Sequence, residues 1–361
     1  MKQLVNNSNA FFALVRLGIE NGLFSGAELQ SPDWLSIKTL AEEQGLGAIV
    51  LDGVEKLSDQ QRPPKVFLLK WIGETLQRYE YRYDLYCKVI AELASFYNSH
   101  GYKMMVLKGY ACSLDWPRPE HRPCGDIDIW QFGQQKEADA SLAKEKGIDI
   151  DSSHHHHTVF YWGEFMVENH YDFINIYHHQ SNKEYEKLLK ELAVDATHVI
   201  EVNGKKVYMP SPNLHAAFML KHIISDFAAV GISLRQLLDW AFFVKAHGKD
   251  VDWQWLHNIL ERFGMLNICN IFNAICVEDL GFEASIFHGV QFNPQIKDKV
   301  LQDILFPEFP RELPSRLIPR LIYKYRRWCG NAWKHELCYN ESMSEAFWSG
   351  IMNHLRKPRT L

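Results

Sequence analysis

The sequence predicts an α+β fold in which a small mixed sheet sits between helical N-terminal and C-terminal regions. Two contrasts along the chain carry that reading. Residues 1–95 and 211–361 space their apolar side chains by threes and fours and begin their segments with capping residues, the signature of amphipathic helices. Residues 96–210 instead alternate short apolar runs with tight turns and two short helical stretches, the pattern of a compact sheet-containing unit. Three regions follow: an N-terminal helical region 1–95, an α/β core 96–210, and a C-terminal helical domain 211–361 with a basic tail.

Composition bounds what such a chain can do. The 361 residues are enough for a sizeable core, and 47% hydrophobic with 23% charged residues is ordinary for a globular protein. A net charge of −5 argues against sequence-independent nucleic-acid binding by the whole molecule. Seven cysteines without a Cys-x-x-Cys pair show neither a zinc motif nor a disulfide framework, so a reducing cytosol is the expected compartment. The first residues, Met1-Lys2-Gln3-Leu4-Val5-Asn6-Asn7, lack the apolar core of a signal peptide. No run approaches the roughly 20 apolar residues needed to span a bilayer, and no integral membrane contact is expected.

In chain order, Ser31-Pro32-Asp33-Trp34 opens a capped helix that Gly45 ends. Leu76, Tyr79, Tyr83, Tyr86, Ile90 and Leu93 then line one face of a long helix over 74–96, read as core packing. Strands are expected at 103–107 and 126–132, and a helix over 134–146 that stops at Gly147. A hairpin follows, 158–162 with 165–170 about Gly163-Glu164, then a short helix over 183–192 and a second hairpin about Asn203-Gly204. Ser211-Pro212 caps the next helix, and further helices begin at Ser233 and at Asp252-Trp253. Residues 313–361 hold nine Lys/Arg against three Glu. Their alternation of Arg316, Arg320, Lys324, Arg326 and Arg327 with Leu317, Ile318, Leu321, Ile322 and Tyr325 reads first as an amphipathic helix with a solvated face. A surface for RNA, anionic lipid or an acidic partner is the other reading.

The chemistry concentrates where the first two strands meet. Met104-Met105-Val106-Leu107-Lys108-Gly109 is an apolar strand ending in a turn, and Arg122-Pro123-Cys124-Gly125-Asp126-Ile127-Asp128-Ile129-Trp130 leads into the next. Strand side chains repeat with period two, so Asp126 and Asp128 share one face while Ile127 and Ile129 share the other. Two neighbouring carboxylates repel, and a divalent cation with oxygen ligands is the usual reason to keep such a pair.

Leu107-Lys108-Gly109, then Arg122, then Asp126-Ile127-Asp128 resembles an uncharacterised bacterial nucleotidyltransferase family of the polymerase-β-like superfamily. The turn here is Lys108-Gly109-Tyr110 where the superfamily has Gly-Ser or Gly-Gly, and the gap to Asp126 is longer than its norm. The resemblance implies a Mg²⁺-dependent enzyme, with Mn²⁺ as the substitute ion, that moves a nucleoside monophosphate from an NTP to a hydroxyl acceptor. That acceptor is left open among small molecule, protein and RNA. Asp126 and Asp128 would hold the metals with Glu168, whose segment Val167-Glu168-Asn169-His170 is similar to the family's Val-Glu-x-His. Asp172 is the fallback third carboxylate. Gly109 would let the backbone approach a phosphate and Lys108 would add a point charge. Arg122 would clasp a phosphate, or else pair with one of the aspartates. Lys221 would reach the triphosphate from a helix that closes over the nucleotide, whereas Arg235 and Asp239 read as an i,i+4 ion pair. Of His154-His155-His156-His157, at most two can converge, with His170 as a cross-strand neighbour. The rival reading keeps the fold without turnover, as an inactive nucleotide-binding or RNA-binding protein.

Overall fold

The computed structural model describes residues 2–21, 32–177, 179–194, 198–289, 291–309 and 313–345. Ser31 and the last part of the basic tail, 346–361, lie outside the described residues.

Six strands form one mixed sheet: β1 (Met105–Val106), β2 (Ile127–Trp130), β3 (His157–Trp162), β4 (Phe165–His170), β5 (Val199–Val202) and β6 (Lys205–Tyr208). Their order across the sheet is β3-β4-β2-β1-β6-β5. The two hairpins, β3–β4 and β5–β6, are antiparallel and stand at opposite ends of the sheet. Each joins the antiparallel β1–β2 pair through a parallel contact, β4 on β2 and β6 on β1. Turn chemistry sets both hairpins. Gly163 takes φ +60°, and Asn203-Gly204 takes φ +47° and +73°, the pair of left-handed residues that a two-residue hairpin loop requires.

Each face of the sheet packs on its own helices. Ile127, Ile129, Phe160, Phe165 and Val167 lie against Tyr86, Ile90, Leu93 and Tyr97 of the helix Tyr81–Ser99, and against Ala138 and Leu142 of Gln135–Lys146. A five-residue π-helical turn, Leu76–Glu80, links Lys65–Thr75 to Tyr81–Ser99 without a break, so the long helix expected over 74–96 is part of a longer helical run that begins at Lys65. Met105, Leu107, Trp130 and Phe173 join the other, larger core, which is built from both helical regions at once. Gln44 ties those regions together: its side chain donates to the Ile304 carbonyl at 3.0 Å and accepts from the Leu234 amide at 2.9 Å. Asp33, Ser211 and Asp252 cap their helices by accepting from backbone amides three residues on.

The basic helix Leu317–Gly330 departs from expectation. It buries none of its residues, and Leu317, Ile318, Leu321, Ile322 and Tyr325 are among the exposed ones. Arg320 turns back onto the carbonyls of Pro314 and Ser315, both at 3.1 Å. The apolar side meets water along with Arg316 and Arg326.

Arg122 and Asp239 lock the approach to β2 onto the C-terminal helices. Arg122 Nε and Nη2 donate to the two Asp239 oxygens at 2.7 and 2.8 Å, and Trp116 Nε1 donates to Oδ1 at 2.9 Å. Both ions are buried. The partner of Asp239 is therefore Arg122, across 117 positions of sequence, rather than Arg235 one turn away. Removing the carboxylate would strand a buried guanidinium and an indole N–H. Asp239→Ala should accordingly lower the unfolding free energy in urea by about 3–5 kcal/mol; a loss below about 1 kcal/mol, as for a surface pair, would show that the contact is solvated.

Candidate functional site

Strand register builds the site. On the parallel pair, Asp128 of β2 lies opposite Glu168 of β4 and Trp130 opposite His170. On the antiparallel pair, His170 lies opposite His157 of β3. Period two then puts Asp128, Glu168, His170 and His157 on one face. Asn169, between Glu168 and His170, points the other way and donates to Asp139 Oδ1 at 2.7 Å, while Thr158 donates to Asp139 Oδ2 at 2.7 Å. That buried network under the sheet fixes the strands whose opposite faces carry the site.

Asp128 is the centre. It is 2% exposed, and its Oδ1 lies 2.8 Å from Lys108 Nζ and 2.9 Å from His170 Nε2. Glu168 Oε2 stands 3.7 Å from both His170 Nε2 and His157 Nδ1. Burial alone would raise the Asp128 carboxyl, but the Lys108 ammonium and His170 outweigh it and hold the group below the usual carboxylate range. Glu168 is pushed up to about 7, first by burial and then by the neighbouring Asp128 charge. Burial disfavours the Lys108 ammonium too, yet Asp128 and Glu168 together keep it above its ordinary value. Two carboxylates so close, with one titrating near neutrality, are short of positive charge.

His170 carries a further constraint. Its Nδ1 lies 3.1 Å from the Asp172 carbonyl oxygen, which can only accept, so Nδ1 donates there. That leaves Nε2 for the carboxylates: at 2.9 Å from Asp128 Oδ1 it donates to that oxygen, and a cation would take the place of its proton. A backbone carbonyl on the other ring nitrogen is the usual support for a metal-binding histidine. Asp128, Glu168 and His170 each offer one ligand atom, all within 4.8 Å of one another. These residues fit a single divalent ion.

The remaining expected residues fall into two sets. Asp126 lies just before β2, half-buried, and its backbone oxygen accepts from Tyr86 Oη at 2.8 Å. Its charge acts on Lys108 and Glu168, although its carboxylate is not one of the three converging ligands. Gly109 lies in the helix Lys108–Ser113, where a Cβ would meet the Tyr86 hydroxyl at 2.6 Å, so the close approach there is made by tyrosine. The left-handed backbone of the turn belongs to Lys108, at φ +32°, and that turn aims the ammonium at Asp128. Arg122 spends both arms of its guanidinium fork on Asp239. Asp172 is engaged by Lys190 and stays outside the cluster. Lys221 belongs to another pocket of side chains, 4.9 Å from the Tyr339 ring centre and 5.5 Å from that of Tyr185, where burial pushes its ammonium down to about 8.

Sequence reasoning passed over His170 as a principal ligand candidate, although Glu168 and His170 stand two apart on an evident strand. That spacing alone puts them on one face. Asp128 joins them only through the β2–β4 pairing, which no local pattern shows.

Comparison with known proteins bears on this arrangement. The sequence model of a family described as uncharacterised nucleotidyltransferases matches residues 30–280. No curated protein matches the chain. Among solved structures, the chain is similar to an antigenic nucleotidyltransferase-like protein from Paracoccidioides brasiliensis. The two are 17% identical, with 49% of this chain and 87% of that one covered at a TM-score of 0.32. The matched segment runs from the start of the first capped helix, through the whole sheet and its carboxylates, to the helix Leu266–Glu278. This chain belongs to the uncharacterised nucleotidyltransferase family.

Proposed function

We propose that the protein transfers a nucleoside monophosphate from an NTP to a hydroxyl-bearing acceptor, with a divalent cation held at Asp128 and Glu168. The observation that carries this reading is the side-by-side placement of those two carboxylates, with His170 Nε2 and the Lys108 ammonium turned onto them. Mg²⁺ is the ion that carboxylates and a triphosphate ordinarily share. When bound, it would neutralise phosphate charge and polarise the phosphorus under attack.

The residues of this chain have separable tasks. Lys108, half-buried and reaching Asp128 on its long side chain, can exchange Asp128 for a phosphate oxygen once a cation takes over the carboxylate. Glu168, beside Asp128 on the neighbouring strand, is placed to accept a proton from the incoming hydroxyl. In that step the acceptor oxygen bonds to the α-phosphorus, the bond from that phosphorus to the α–β bridging oxygen breaks, pyrophosphate leaves, and the hydroxyl proton passes to Glu168. Asp126, at the mouth of β2, adds negative charge beside the cation.

Calorimetric titration of ATP, GTP, CTP and UTP, each with Mg²⁺, tests the reading. One nucleotide should bind with a cation requirement, and Asp128→Ala with Glu168→Ala should weaken it at least tenfold, about 1.4 kcal/mol. Absence of binding by all four, or equal binding by the double variant, would set the reading aside. Binding without pyrophosphate release in the presence of any acceptor would favour the inactive nucleotide-binding alternative. Lys108→Met should weaken the same nucleotide by roughly tenfold, one charge-assisted phosphate contact, while leaving the cation requirement in place.

A further inference from the structure

We propose that the cation centre is a mixed nitrogen–oxygen site, built to take a zinc-type first-row transition ion through His156 and His157 as well as His170. This deepens the reading above, on whose carboxylates it rests, and concerns which ion the site selects.

Three imidazoles crowd the same face of the sheet. His157 and His170 are directly opposed residues of the β3–β4 hairpin, their ring centres 5.2 Å apart. His156 precedes β3, its ring 4.3 Å from that of His157 and 5.5 Å from that of His170. The backbone holds it there: the His156 carbonyl accepts from both the Tyr171 and Asp172 amides at 3.0 Å. One ring nitrogen from each of the three lies within 4.8 Å of the others, the same tolerance that defines the Asp128, Glu168 and His170 group, and His170 belongs to both.

Two ring nitrogens here make no hydrogen bond, although one of them lies 3.7 Å from Glu168 Oε2. His156 Nδ1 and His157 Nδ1 are buried and lack a hydrogen-bond partner, and His157 as a whole is only 7% exposed. Buried polar atoms are rarely left without one, and an orphaned pair beside two carboxylates is what a ligand would resolve. Ligand hardness then decides the ion. Mg²⁺ takes oxygen ligands and would leave those nitrogens idle, whereas imidazole suits zinc and its neighbours. His170 offers only Nε2, because Nδ1 is committed to the Asp172 carbonyl. One ion at Nε2 can therefore draw on Glu168 or Asp128 from one side and on His157 and His156 from the other. The donor set is that of a catalytic zinc-type site: a few nitrogens and a carboxylate, with positions left for substrate.

The test uses the full chain, stripped with a chelator, with Co²⁺ as a spectroscopic probe and Zn²⁺ and Mg²⁺ as competitors. We expect one Co²⁺ per chain with a visible absorption band of nitrogen-ligated, low-coordinate cobalt, displaced by Zn²⁺ and not by a hundredfold excess of Mg²⁺. His156→Ala and His157→Ala should each weaken Co²⁺ at least tenfold, and His157→Gln, which keeps the volume, should do the same if His157→Ala fails to fold. His198→Ala, at an exposed position before β5, should bind like the parent. Unchanged Co²⁺ affinity in the His156 and His157 variants, or displacement of Co²⁺ by equimolar Mg²⁺, would overturn the proposal. Nucleotide titration on the same variants separates the two readings. Mg²⁺-dependent NTP binding without histidine-dependent Co²⁺ binding sinks this inference alone, while the reverse outcome upholds it and removes the nucleotide.

Discussion

Everything at the candidate site depends on one pairing, that of β2 with β4 in parallel register. It sets Asp128 opposite Glu168 and so buries two like charges side by side. Neighbouring carboxylates in a sheet cost stability unless something positive lies between or beside them. The chain answers with Lys108 on one oxygen of Asp128 and His170 on the same oxygen. Even so, Glu168 is left titrating at about 7, so the compensation is incomplete. The incompleteness is the feature that a cation or a charged substrate would complete.

The rest of the fold serves that register. The hairpin β3–β4 needs only its turn at Gly163-Glu164 to form, and its alternation sends Val167 and Phe160 into one core while Glu168 and His157 face the other way. Below the sheet, Asp139 gathers Thr158 and Asn169, which prevents the hairpin from slipping by one residue. A slip of that size would exchange the two faces and place the carboxylates in the hydrophobic core. From the other side, the buried Arg122–Asp239 pair anchors the segment entering β2 to the helix Leu234–His247. Arg122 thus acts on the site through position: it holds the strand that carries Asp128.

Three histidines bear on the chemical character of the centre. With carboxylates alone, the site would be hard and oxygen-rich. With His157 and His170 opposed across the hairpin and His156 beside them, it presents nitrogen and oxygen together. The four-histidine run looks in sequence like a metal-binding tract, yet its members do not act alike. His155 lies against Tyr177 and His154 stacks on the outer side of His157 with ring centres 4.8 Å apart, while His156 and His157 converge on His170 because His156 stands outside the strand and escapes its alternation.

How much was legible beforehand follows from range. Caps at Asp33, Ser211 and Asp252, the Asn203-Gly204 turn and the Asp-x-Asp strand are local features, and local sterics and hydrogen bonding determine them in the sequence itself. The α+β class, the two helical flanks and the shared face of Glu168 with His170 were readable for the same reason. Partners across long stretches of chain were not. Asp239 pairs with Arg122 rather than with Arg235, because a buried guanidinium needs a carboxylate at bidentate distance and the tertiary packing supplies one. Lys221 carries the charge expected of a phosphate contact, but its helix turns it into an aromatic pocket of Tyr185 and Tyr339. The residue types that the chemistry needs were determined by the sequence. Which of them meet was decided by the order of strands in the sheet, because parallel neighbours come from distant segments whose contact no local pattern encodes.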